Sequence, residues 1–217
     1  MTWRLDLSQL AGTSEWSLND CLVAGFLRSG RRFRVSRRRP LSVWIPMNIR
    51  EHPFEGFGNG ASRIRVYDRG GDTESFRETA LQVRRQVKHC RETGEWDIPA
   101  KVDGLAHWPE ALSRRLIKAY AFRPWVDMGS LFFSSIGRLP PPWDHESPFD
   151  QMCLVAPAHP HHPVSLVSVG VSPGQMDLTA TWNAGLVERD SVIRFVVEGL
   201  KESQIPHCEI EFRSDQP

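Results

Sequence analysis

The chain has 217 residues, 40% hydrophobic and 24% charged, a composition that supports one ordinary core and excludes both a disordered chain and a long multidomain machine. Its 27 basic and 26 acidic residues nearly cancel, so no overall field draws in nucleic acid or a membrane surface. Four cysteines, Cys21, Cys90, Cys153 and Cys208, stand apart with no CxxC pair, which argues against a disulfide framework or zinc cluster and suits a reducing cytoplasm.

The opening MTWRLDLSQLAG lacks the apolar run of a secretory signal, and no later stretch offers about 18–20 apolar residues free of charge and proline. No transmembrane segment is expected. Residues 1–15 read as an N-terminal segment and 16–217 as a single domain. A first helix is predicted from Ser17 to about Phe33, with Ser17 as N-cap, Asp20 in the first turn, and Leu18, Leu22, Gly25 and Phe26 at helical spacing. An arginine stretch to Arg39 follows, then the apolar run Leu41 to Met47, which reads as a buried strand. After a glycine-rich turn region, Phe54 to Gly60, the alternation of Arg63 to Tyr67 predicts a half-exposed strand.

Ser75 and Glu78 form a capping box for a helix that places Phe76, Ala80, Val83, Val87 and Cys90 on one face and ends at Gly94. A shorter helix is predicted to begin at Pro109 and to carry Leu112, Leu116 and Ala119 inward. Strands are predicted over Ser130–Ser135 and Gln151–Val155, with proline-broken loops around the latter. Val164–Val171 and Asp177–Trp182 read as a hairpin turning at Ser172-Pro173-Gly174-Gln175. An amphipathic helix from Val187 to Glu202, facing Val192, Phe195, Val196 and Leu200 inward, precedes a last strand, Cys208 to Phe212. The order implies an α/β (α+β) two-layer sandwich, a mixed, mostly antiparallel sheet with helices packed on it.

Four groups of residues are chemical candidates. The densest is the arginine run Arg28, Arg31, Arg32, Arg34, Arg37, Arg38 and Arg39. It suits either a phosphate or carrier-protein contact, with Arg31, Arg32, Arg37, Arg38 and Arg39 as the contacts, or a solvated helix end favoured by the macrodipole. Arginine makes up 23 of the 27 basic residues, a bias that composition alone also produces. His159, His161 and His162 crowd a proline-rich loop with no carboxylate beside them to complete a metal site. Asn48, Arg50 and Asn59 follow a buried strand, where they either order a site or satisfy turn backbone. Ser134 and Ser135 end an apolar strand, where a hydroxyl either binds a reacting oxygen or caps a turn.

Together these pieces resemble the carboxyl-terminal half of the chloramphenicol-acetyltransferase-like superfamily, which includes the condensation domains of peptide synthetases and the wax ester synthase and diacylglycerol acyltransferase group. Trp16-Ser-Leu-Asn-Asp-Cys-Leu-Val-Ala-Gly25 resembles the helix opening "TvNDvlLaa", Pro46-Met-Asn-Ile-Arg50 resembles "PVNLR", and Gly58-Asn59 resembles the "GN" that follows it. Phe133-Ser-Ser-Ile-Gly-Arg138 resembles "SNlGr", and Asp177-Leu-Thr-Ala-Thr-Trp-Asn183 with its helix resembles the last strand and helix of that half. The resemblance covers roughly Trp16 to Glu202.

It implies acyl transfer from acyl-CoA or a phosphopantetheine thioester, with no cofactor bound. Ser134 or Ser135 would help hold the oxyanion, and Asn48, Arg50 and Asn59 would line the substrate tunnel. The family's base is a histidine in HHxxxDG, and that motif is absent from this sequence. In two-half members it belongs to the other half. In single-half homotrimeric members it lies between the last strand and its helix, where this chain has Asn183 and Ala184. The resemblance therefore implies either one half of a split acyltransferase, needing a partner chain that carries HHxxxDG, or a non-catalytic scaffold that binds a carrier protein or itself.

Overall fold

The computed structural model describes residues 1–8, 15–33, 41–48, 61–71, 73–94, 109–112, 115, 131–138, 154–156 and 163–210. In chain order they form β1 (Thr2–Asp6), α1 (Leu18–Phe33), β2 (Ser42–Asn48), β3 (Ala61–Tyr67), α2 (Phe76–Thr93) and β4 (Leu131–Arg138), followed by β5 (Val164–Ser172), β6 (Gln175–Trp182), α3 (Arg189–Glu202) and β7 (His207–Ile210). The strands join in one seven-stranded sheet of order β3-β2-β4-β5-β6-β1-β7. Only β2–β4 and β4–β5 are parallel; the other neighbours run antiparallel.

Local chemistry explains most of the elements. At the head of α1, the Asp20 amide donates to Ser17 Oγ at 3.2 Å while the Ser17 amide donates to Asp20 Oδ2 at 2.9 Å. This reciprocal pair satisfies donors that the first turn would otherwise leave orphaned. Ser75 and Glu78 close the same box on α2, and Gly94 ends that helix in the left-handed conformation at φ 66°. Hydrogen bonds from Ser75 hold the Glu78 carboxyl below its usual range, so the box is intact at neutral pH and loosens as acid protonates that group. The hairpin turns at Pro173 and Gly174, with Gly174 at φ 75° where a type II turn requires a positive value. At the end of α3, Gln204 bonds back to Lys201 and Ile205 to Leu200. This Schellman closure holds a non-glycine residue, Gln204, at φ 56°.

Alternation along each strand divides its residues between two faces. Trp3 and Leu5 of β1, Val43 of β2, Phe133 of β4, Leu166 of β5 and Leu178 of β6 meet Phe26, Val83 and Val196 of the three helices in one core. Each such side chain, fully buried, is worth roughly 1.5–3 kcal/mol. Phe26 centres the layer, with ring centroids 6.1 Å from Phe133 and 5.9 Å from Phe195. Where α1 passes α3, Gly25 faces the Gly199 carbonyl and the Ser203 hydroxyl, and Gly199 faces the Phe26 ring. Both glycines permit a backbone approach that a Cβ would block.

The structure corrects several expectations. Residues 2–6, set apart in sequence as part of an N-terminal segment, form β1 inside the sheet, between β6 and β7. Cross-strand partners hold it there: Arg4 forks onto Asp177 at 2.9 and 3.1 Å, and Thr2 meets Thr179 hydroxyl to hydroxyl. Residues 154–156 carry no regular structure, so the strand expected up to Val155 does not extend there; 151–153 lie outside the described residues. Leu112, expected inward, is 46% exposed. Its helix is seen as residues 110–112 and 115, and Leu116 and Ala119 lie outside the described residues.

Candidate functional site

β2 and β4 are parallel neighbours, with Trp44 opposite Phe132. Their carboxyl ends, carrying Asn48 and the two serines, therefore lie at the same end of the sheet, where open α/β sheets characteristically bind ligands. Asn48 ends β2 opposite Ala61. Arg50 and Asn59 lie outside the described residues, so the structure tests neither as a companion to Asn48.

Ser134 and Ser135 do not end their strand. β4 runs on to Arg138, and both hydroxyls sit inside it, half-buried, so neither caps a turn. Adjacent strand residues face opposite ways. Ser135 shares a face with Phe133 and the helix-covered core; Ser134 shares the other face with Phe132 and Trp44. Beyond Ser135 the register slips, because Ser135 pairs with Ser168 but Arg138 with Gly170. One extra residue on β4 makes a bulge, a device that re-aims side chains and is frequent beside active sites. Gly137 supplies its positive φ of 76°. Nothing lies within 4 Å of a Cβ placed there, so conformation and not space calls for glycine.

The register also brings together a pair that sequence reading missed. Ser168 lies beside Ser135 on the helix side of the sheet, is 0% exposed, and its Oγ has no hydrogen-bond partner among the described residues. A signal was present: in Val164-Ser-Leu-Val-Ser168, the second serine falls in phase with the inward Val164 and Leu166. An unmet buried hydroxyl costs about 1–3 kcal/mol. Ser168→Ala is therefore expected to raise Tm by about 2–4 °C in a thermal melt; a lower Tm would show that the hydroxyl is satisfied in the folded protein.

Between β6 and α3, the stretch that the sequence resemblance aligns with the histidine pair of single-half members, Asn183 forms a tight turn. Its Oδ1 accepts the Gly185 amide at 2.9 Å, and its carbonyl accepts the Leu186 and Val187 amides. Asn183 is thus occupied as a turn former, and exposed Ala184 has no group that takes a proton. Cys21 is no substitute nucleophile, since burial and the neighbouring Asp20 push its thiol up to about 11.

The arginine run resolves into structural pairing wherever it is described. Arg31 is 7% exposed in its side chain. It forks onto Asp68 at 2.9 and 2.7 Å, reaches Glu74 at 2.9 Å, and donates to the Gly71 carbonyl. Its guanidinium is committed, which corrects its reading as a phosphate contact. Arg32 bridges Glu198 and Glu202 at 2.8 and 2.6 Å, tying α1 to α3, and Arg28 joins Glu202 and the Glu74 carbonyl. Arg34, Arg37, Arg38, Arg39 and the histidine loop lie outside the described residues.

No family model matches the sequence, and no curated protein matches it either. Solved structures do. The first condensation domain of the CDA synthetase superposes with a TM-score of 0.54 at 13% identity, covering 94% of this chain and 44% of that one. The fold is that of a condensation-domain half. The X-domain in a complex with OxyB from teicoplanin biosynthesis aligns over 94% of this chain and 44% of its own, with a TM-score of 0.58 at 15% identity. A probable dihydrolipoamide acetyltransferase from Listeria monocytogenes aligns at 8% identity with a TM-score of 0.51, covering 94% of this chain and 82% of its own. The sheet with its helices on one side thus matches the arrangement expected from the order of elements, while the chain spans less than half the length of the condensation domains it matches. Among the described residues, no helix is long and apolar enough to cross a membrane.

Proposed function

We propose that the chain is the carboxyl-terminal, base-lacking half of a split acyltransferase, which moves an acyl group from a thioester to a hydroxyl or amine once another polypeptide supplies HHxxxDG. The observation that carries this reading is the turn at Asn183 and Ala184: the fold is of the acyltransferase kind, yet the single-half position of the base holds a turn-forming amide and an alanine. Self-association therefore does not restore the base. Within the assembled enzyme, Ser135 supplies a half-buried hydroxyl at the β4 bulge, and a donor aimed at a developing oxyanion is worth about 10²–10³ in rate.

The test has two arms. The purified chain is expected to show no turnover of acyl-CoA, and co-expression with a chain carrying HHxxxDG is expected to yield a stable complex with activity. In that complex Ser135→Ala is expected to lower kcat about 10²-fold. Steady turnover by the chain alone, or two chains that elute separately and stay inactive when mixed, would overturn the split-enzyme reading. A second reading, a non-catalytic module that docks a carrier or another protein, is favoured by the X-domain neighbour, itself solved in a complex with a second protein. It predicts binding of such a partner without turnover in either arm.

A further inference from the structure

The two edges of the sheet are finished differently. At β3 the side chain of Gln86 caps the backbone of Tyr67: its Oε1 accepts the Tyr67 amide at 2.9 Å, and its Nε2 donates to the Tyr67 carbonyl at 2.8 Å. At β7, the other edge strand among the described residues, the phase of the hydrogen bonds decides which groups face outward. Odd residues of β1 bond toward β6, as the Leu7 amide does to the Gly174 carbonyl, and even ones toward β7, as the Asp6 amide does to the Pro206 carbonyl. The pattern repeats every second residue. Arg4 is therefore the hydrogen-bonded mate of Cys208, while His207 and Glu209, opposite Leu5 and Trp3, turn their amides and carbonyls away from β1. No partner meets those groups among the described residues. Cys208 and Glu209 are exposed and His207 is half-buried, so solvent reaches this edge.

An exposed strand edge is a template for another strand, and natural edges are kept short or charged to prevent indiscriminate pairing. β7 is both, with four residues and the carboxylate of Glu209. Against a second copy of itself, however, it is self-complementary. Set antiparallel about a two-fold axis at Cys208, His207 stands opposite the partner's Glu209 and Glu209 opposite the partner's His207, and these pairs use every outward amide and carbonyl of both strands. Both side chains lie on the helix side of the sheet with Leu5 and Trp3, where the exposure of Glu209 shows that the helix layer stops short of this edge. His207 Nδ1 donates to the Ile205 carbonyl at 2.9 Å. That leaves Nε2 to meet the carboxylate, as a donor in the imidazolium form, and opposite charges across a strand pair attract. On the other face, half-buried Pro206 stands opposite the partner's Ile210. An axis centred on Glu209 would instead set carboxylate against carboxylate, so charge selects the register.

We infer that β7 is a dimerisation edge at which two copies of this chain join their sheets, His207 of each opposite Glu209 of the other. The inference rests on the backbone edge and its charges and not on the acyl-transfer reading, and it leaves the base missing in both copies. The contact is small, so the dimer is weak and concentration-dependent. In this register Cys208 faces the partner's Cys208 in a non-hydrogen-bonded pair, with Cα atoms about 4.5 Å apart, within the span of a disulfide. The thiol thereby serves as a probe of the pairing.

The experiment is sedimentation equilibrium of the whole chain in reducing buffer over a wide concentration range, for the wild type, Glu209→Pro and Glu209→Lys, with circular dichroism to confirm that each variant is folded. Proline removes an outward amide that β1 does not use, and lysine sets a cation opposite the imidazole. In a second arm, diamide oxidises the reduced chain, taking two protons and two electrons from a pair of thiols as their S–S bond forms, for the wild type and Cys208→Ser. The wild type is expected to associate, with a dissociation constant raised about tenfold or more in both Glu209 variants, and diamide is expected to give a covalent dimer that Cys208→Ser lacks. A wild type that stays monomeric throughout, or association unchanged in the folded Glu209 variants, would overturn the dimer edge. Equal cross-linking in wild type and Cys208→Ser would overturn the register. A chain monomeric alone that binds an HHxxxDG polypeptide through an edge blocked by Glu209→Pro would give β7 to that polypeptide and overturn its pairing with a second copy.

Discussion

Replacing Gly25 by alanine is expected to destabilise the protein by about 2 kcal/mol or more, a fall in Tm of about 4–8 °C at this chain length. In an open helix the same change gains about 1 kcal/mol through propensity, so even the sign is informative. The loss follows from the crossing of α1 and α3. A Cβ on Gly25 collides with the Gly199 carbonyl, which is backbone, and with the Ser203 hydroxyl, which donates to that same carbonyl at 2.8 Å. Neither gives way unless the helices separate, and separation loosens Phe26 from Phe133 and Phe195. Gly30, one and a half turns further along α1, is the control. Its added methyl meets a Leu41 methyl at 3.1 Å, the movable end of a side chain, so Gly30→Ala is expected to be near neutral. Chemical denaturation of both variants is the measurement, and equal stabilities would show that the crossing is not close-packed.

Arg31→Met is expected to cost about 3–5 kcal/mol, because it leaves Asp68 and Glu74 without their cation in a buried setting. The Asp68 side chain is 1% exposed, so water offers little compensation. If the loss comes from the stranded charge, neutralising it should restore stability: Arg31→Met with Asp68→Asn is expected to recover at least half of the loss, since asparagine keeps an oxygen for the Gly70 amide that now reaches Asp68 at 3.3 Å. A single-variant loss under about 1 kcal/mol, the range of solvent-screened pairs, would show that this cluster behaves as a surface feature.

Arg31 also shows where sequence reading reaches its limit. Its density among neighbouring arginines is visible in one line of text, whereas its partners Asp68 and Glu74 lie 37 and 43 residues away and acquire meaning only when β3 and α2 fold back beside α1. Features decided within a few residues were legible: the Ser75–Glu78 capping box, the Ser17 cap of α1, the Gly94 stop, the Pro173-Gly174 turn and the inward stripe of α3. The strand β1 was not, although Trp3 and Leu5 alternate correctly, because five residues hold too little pattern to stand out and their strand partners lie about 170–210 residues away. The same limit applies to the site. Ser134 and Ser135 were legible as a polar break in an apolar run, but their division between two faces, and the pairing of one with Ser168, depends on strand register and a one-residue bulge.

The place of β1 in the sheet has a kinetic consequence. Residues 2–6 are synthesised before the other strands of this sheet, yet both neighbours that complete their hydrogen bonding, β6 and β7, come from residues 175–182 and 207–210. This strand must wait for nearly the whole described chain to emerge, with Trp3 and Leu5 exposed meanwhile. Pairings of such long sequence separation are slow to form, and unpaired apolar strands are open to misassociation during the wait. The sheet therefore closes only after β7 has emerged, when the early strand is captured between two that follow it much later.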